Sequence, residues 1–91
     1  MDSSKYYPYG IPFYIDQKFI DIKFINNEDH FINIFFVDGD ILGKLAGIVF
    51  SHQKRDYQFP ENSIVAIISE KKPNKYHCFI KLIDGMTYIY P

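Results

Sequence analysis

Phe31-Ile32-Asn33-Ile34-Phe35-Phe36-Val37-Asp38-Gly39-Asp40-Ile41-Leu42-Gly43-Lys44-Leu45 decides the fold. Two apolar runs flank an Asp-Gly pair, the strongest short-range signal for a β-hairpin, because a tight two-residue turn needs positive φ. A turn centred on Asp38-Gly39 pairs Val37 with Asp40, Phe36 with Ile41, Ile34 with Gly43, Asn33 with Lys44 and Ile32 with Leu45. One face then carries Ile32, Ile34, Phe36, Ile41 and Leu45, while Asn33 and Lys44 meet on the other.

Upstream, a loop over residues 26–30 brings Ile25 opposite Phe31, Phe24 opposite Ile32, Ile22 opposite Ile34 and Ile20 opposite Phe36. Lys23 falls opposite Asn33, which yields a polar column Lys23–Asn33–Lys44 across three strands. A slip of a single residue would turn Asp21 and Lys23 into the apolar face, so the alternation selects the register. Strands are expected at about 18–25, 31–37 and 40–50, forming a three-stranded antiparallel meander.

Ile41, Leu45, Ile48 and His52 also recur at helical spacing, with Asp40 as an N-cap. This competing reading is a β-rich α+β fold with one short helix near 41–55. Gly43 and Gly47 would each cost that helix about 1 kcal/mol against Ala. In a strand they mark bends or close backbone approach, and the strand is preferred.

Residues 51–63 read as a polar connection. Apolar strands resume with Ile64-Val65-Ala66-Ile67-Ile68 and, after a loop over 70–75, with Tyr76 to Ile83. Asp84-Gly85 then predicts a second hairpin, pairing Leu82 with Thr87, Lys81 with Tyr88, Ile80 with Ile89 and Phe79 with Tyr90. Cys78, Ile80, Leu82 and Ile89 share one face of this hairpin, and His77, Phe79, Lys81, Tyr88 and Tyr90 the other. The expectation is an all-β fold of two three-stranded antiparallel meanders, closed as a small SH3-like or OB-like barrel or packed as a sandwich.

The 91 residues suit one domain, with an aromatic, proline-containing arm over 1–17 and a β-rich body over 18–91. Ile, Phe, Tyr and Val dominate, while Ala, Leu and Glu are scarce, which favours sheet over helix. An AT-rich coding sequence gives the same bias, so alternation rather than composition carries the assignment. Pro8 and Pro12 exclude a regular helix from the arm.

The chemistry points to binding rather than catalysis. His77 and Cys78 are neighbours in a strand and point to opposite faces, so they do not chelate one ion. Asp38-Gly39-Asp40 lacks the further oxygen ligands of a calcium loop. No nucleophile elbow is present, and no cofactor or metal is expected. Cys78 is the only cysteine, which excludes an internal disulfide. No secretory leader or membrane span is recognisable, so a cytoplasmic location is expected.

The partner-binding candidates are His77, Phe79, Lys81, Tyr88 and Tyr90 on one sheet face, Lys71, Lys72 and Lys75 in a basic loop, and Lys54 and Arg55 in the long connection. Aromatics interleaved with cations suit a protein interface, where Tyr is enriched. They also suit stacking of bases, the alternative being a nucleic-acid-binding barrel. The net charge of −1 disfavours that alternative, since neutralising phosphates needs a basic excess. A protein partner is expected, with self-association through a sheet edge as a further mode.

Overall fold

The computed structural model describes residues 5–9, 18–71 and 78–91, and the following statements concern these residues. Seven strands follow one another: β1 (Phe19–Asn26), β2 (Ile32–Asp38), β3 (Ile41–Val49), β4 (Lys54–Pro60), β5 (Ile64–Ser69), β6 (Cys78–Lys81) and β7 (Thr87–Tyr90). Among the described residues there is no helix, which settles 41–55 in favour of strands. The strands form two sheets, one ordered β4-β1-β7 and the other β3-β2-β5-β6. They do not close into a barrel.

The β2–β3 hairpin forms as expected, but its register differs. Asp38 pairs with Ile41, so the two central residues are Gly39 and Asp40, and only Gly39 takes a positive φ, 66°. Gly at the first central position is the signature of a type II′ turn, one residue on from the expected centre at Asp38-Gly39. Two irregularities then add residues to β3, so that Phe35 faces Leu45, Ile34 faces Gly47 and Ile32 faces Val49. Such bulges re-aim the strand, and here they bring Ala46 and Val49 into the core. Gly43 permits the approach of the Phe36 carbonyl, 3.1 Å from where a Cβ would stand. Close backbone approach, not helix, explains this glycine.

The meanders are not formed, because consecutive strands change sheets. β1 pairs antiparallel with β4 and parallel with β7, and never with β2. The column Lys23–Asn33–Lys44 therefore does not exist: Lys23 lies between Asp56 and Thr87, and Asn33 between Ile48 and Ile68. Asp84-Gly85 makes a turn, closed by the Met86 amide donating to the Ile83 carbonyl at 3.0 Å, with Gly85 at φ 85°. That turn does not return the chain alongside β6. It sends β7 to the other sheet, where the Lys23 amide donates to the Met86 carbonyl.

The largest correction concerns residues 51–63, of which Lys54–Pro60 is a strand. Tyr57 and Phe59 on β4 are core residues that face Ile22 and Ile20 of β1. Both sheets feed one cluster: Ile20, Ile22 and Phe24 from β1 meet Ile32 and Ile34 from β2 and Val65 and Ile67 from β5. Phe24 is its centre, with ring centroids at 5.7 Å from Tyr57, 6.1 Å from Phe59 and 6.2 Å from Tyr88. Such edge-on pairs each add about 0.5–1.5 kcal/mol beyond area burial.

One buried polar side chain joins the sheets. The Asn26 amide nitrogen donates to the carbonyls of His30 (2.8 Å) and Val49 (3.0 Å), and its oxygen accepts from the Glu28 amide at 2.8 Å. The end of β1 is thereby tied to the end of β3 and to the β1–β2 loop. All three polar valences used are satisfied, which is what full burial of an amide requires.

Candidate functional site

The outer faces of the two sheets differ in chemistry. On the β4-β1-β7 sheet the middle of the outer face is polar, with Gln58, Asp21, Asp56, Lys23 and Thr87, while Phe19 stands at one end and Ile25 beside the exposed Ile89 at the other. A depression of about 400 Å³ lies here, lined by Lys5, Asp21, Lys23, Asp56, Met86 and Thr87 among others. Its charges pair off, Lys5 with Asp21 at 3.1 Å and Lys23 with Asp56 at 3.9 Å. Hydrogen bonds from Gln58 and Lys5 hold the Asp21 carboxyl below the usual carboxylate range.

The outer positions of the β3-β2-β5-β6 sheet are mostly apolar, with Asn33 and Lys81 among them. Leu45, Phe35, Ala66 and Phe79 are neighbours in one row across all four strands. Ile48 and Ile68 flank Asn33 in the next row, and Val37 meets Leu42 towards the turn. An antiparallel sheet with one solvated face normally alternates apolar-in with polar-out. β2 and β5 break that rule, since β5 is apolar on both sides. At the β5–β6 end the row surfaces: Ile64 is 38% and Phe79 44% exposed, with Lys81 opposite Ile64 and the exposed Ile83 just beyond β6.

The residues singled out by sequence are distributed unequally. Phe79 and Lys81 stand together on this outer face. Tyr88 and Tyr90 do not join them, because β7 belongs to the other sheet and both rings pack against the core. Ile89, expected inside, is exposed, so the two faces of β7 are reversed relative to expectation. Lys54 and Arg55 alternate on β4 and so face opposite sides: Lys54 is exposed, while the Arg55 guanidinium lies 4.3 Å from the Tyr6 ring and 5.2 Å from that of Phe50. Lys71 is exposed beyond β5. Lys72, Lys75 and His77 lie outside the described residues.

Sequence reasoning missed Ile64 and Ile83 as surface residues, and it missed the packing role of Tyr57. The signal for β4 was present in Arg55, Tyr57 and Phe59, which alternate at the period of a strand inside a polar stretch. Among the described residues, no group of three or more His, Cys, Asp or Glu side chains is placed to hold a metal ion. His52 and Asp29 form an exposed pair at 2.8 Å, whose hydrogen bond lowers the Asp29 pKa.

No family matches this chain. No protein-family model fits it, and neither the curated proteins nor the solved structures include a significant match. Its functional reading therefore rests on its surfaces alone. No helix among the described residues is long and apolar enough to cross a membrane.

Proposed function

We propose that this chain is a non-catalytic protein-binding module of the cytoplasm, whose two sheets pack as the layers of a sandwich. Its partner would bind at the β5–β6 end of the outer apolar face, around Ile64, Phe79, Lys81 and Ile83. The observation that supports this reading is the contrast between the two outer faces: one centres on paired charges, the other carries the apolar row Leu45–Phe35–Ala66–Phe79, which ends at the exposed Phe79 ring near the exposed Ile64 and Ile83. Exposed apolar surface beside a cation suits a partner with an apolar patch rimmed by a carboxylate that meets Lys81. The stacking platform required by a nucleic-acid reading is not supported, since Phe79 is separated from Tyr88 and Tyr90.

The test is affinity capture from the native cell with the full chain and with a Phe79→Ser/Lys81→Glu variant, nuclease-treated in parallel. A specific protein retained by the first and lost from the second is the expected result. Equal retention by both chains refutes the site, and loss on nuclease treatment refutes the partner class. Both side chains are exposed, so thermal stability should move little.

A further inference from the structure

A second surface, independent of the β5–β6 face, lies at the seam where β3 of one sheet meets β4 of the other. Residues 5–9 of the arm are laid along it. The Tyr6 amide donates to the Asp56 carbonyl at 2.8 Å and the Tyr6 carbonyl accepts from the Gln58 amide at 2.9 Å, a parallel bridge onto the edge of β4. Three residues on, the Tyr9 amide donates to the Ala46 carbonyl of β3 at 2.9 Å. The arm thus spans both sheets. Its Tyr6 ring lies 5.6 Å from that of Tyr57 and beneath the Arg55 guanidinium, and Pro8 is buried.

This seating is specific but shallow. Tyr6, Tyr7 and Tyr9 all keep large exposed surfaces, and Pro8 is the only one of the five residues that is buried. The Nε of Arg55, whose guanidinium lies over the Tyr6 ring, is buried and has no acceptor among the described residues. A segment with few buried contacts opens at a lower free energy than the domain as a whole. When it opens it uncovers the Asp56 carbonyl, the Gln58 amide and the Ala46 carbonyl, a sheet edge of the kind that captures extended peptides by strand addition.

We propose that the β3–β4 seam is a docking groove for an extended aromatic–proline segment of a partner protein, and that the arm occupies it in cis as a competitor. The occupant is read from the arm itself: a tyrosine to pack against Arg55 and Tyr57, a proline two residues later, and backbone groups matching β4 and β3. A tethered arm acts at an effective concentration of order millimolar, so it suppresses weak ligands and yields to strong ones.

The probe is a fluorescein-labelled peptide carrying the sequence of residues 1–10, titrated by anisotropy into the full chain and into a full-length Tyr6→Ala/Pro8→Ala variant. The variant, whose own arm is weakened, should bind the peptide at least ten-fold more tightly than the unmodified chain. A peptide with Tyr6 replaced by Ala should not bind either. Equal affinity for both chains, or binding to neither, overturns the proposal. Hydrogen exchange on the unmodified chain tests it without substitution: the Tyr6 and Gln58 amides should exchange at least a hundred-fold faster than that of Ile34. If they exchange only with the whole domain, the arm is a fixed guard of the β4 edge and the proposal fails.

Discussion

Gly47→Ala adds one methyl group at a crowded point against the Tyr57 ring of the core. Gly47 sits opposite Ile34, after the second irregularity of β3, and a Cβ there would stand 2.7 Å from Cζ and 2.9 Å from Cε1 of Tyr57. Ordinary carbon contacts are about 3.5–4.0 Å, so the ring has to move. It has little room, being flanked by Tyr6 at 5.6 Å, Phe24 at 5.7 Å and Phe59 at 5.6 Å. Overpacking costs about 1–3 kcal/mol, and each aromatic pair disturbed costs up to roughly 1.5 kcal/mol more. The better strand propensity of Ala offsets about 0.5–1 kcal/mol of this. The expected net loss is about 2–3 kcal/mol, or a fall in Tm of roughly 10–20 °C for a domain of this size.

Urea denaturation with a shared m-value measures it. The same substitution in a Tyr57→Leu background has no ring to displace and should cost less than about 0.5 kcal/mol, giving a coupling of at least about 1.5 kcal/mol. If Gly47→Ala costs the same in both backgrounds, or costs less than about 0.5 kcal/mol alone, the proposed clash is not what holds this position as glycine.

Phe24→Ala removes the ring at the centre of three edge-on pairs and should cost about 3–5 kcal/mol, seen as loss of cooperative unfolding or a large drop in urea midpoint. Asn26→Ala strands the carbonyls of His30 and Val49 and the Glu28 amide, and should cost about 2–4 kcal/mol by the same assay. Asn26→Leu should not recover that loss, because the stranded groups remain. Hydrogen bonds hold the carboxyls of Asp21 and Asp29 below the usual carboxylate range. A depressed folded pKa contributes stability that is present above the unfolded value and lost as pH falls through the folded one. Stability should therefore decline with acid below about pH 4, and Asp21→Asn should flatten part of that decline in acid-titrated urea melts.

The strands were legible where both signals of a β element coincided, alternation within and a turn at the end. β1, β2 and β3 fall within a residue or two of their expected bounds because Ile20, Ile22, Phe24, Ile32 and Ile34 alternate with polar or half-buried neighbours. β4 was illegible as a strand because its outward residues, Lys54, Asp56 and Gln58, made a polar stretch of it, while only Tyr57 and Phe59 marked the inward face. Pairing was less legible still. A period-two pattern fixes which side chains share a face, and says nothing of which strand lies alongside. Ile22 satisfies its apolar side equally well opposite Ile34 of β2, as expected, or opposite Tyr57 of β4, as found. For the candidate site the same limit applied: Phe79 and Lys81 stayed together because they share a strand, and the tyrosines of β7 were lost because a turn was read as a hairpin.

The placement of β1 between β4 and β7 has a kinetic consequence. Phe24 can complete its hydrogen-bonded neighbourhood only when Arg55 and Tyr88 have both arrived, one on each side. The β2–β3 hairpin needs no such wait, since its partners are joined by a tight turn. Loop closure over long separations is entropically costly, so non-local pairings form late and folding slows. During synthesis β1 emerges before both of its neighbours, and the edge that takes β7 stays open until the last of the seven strands arrives. The charges at Asp21 and Lys23, which contribute little to the finished core, sit where they keep that waiting strand from pairing with another chain.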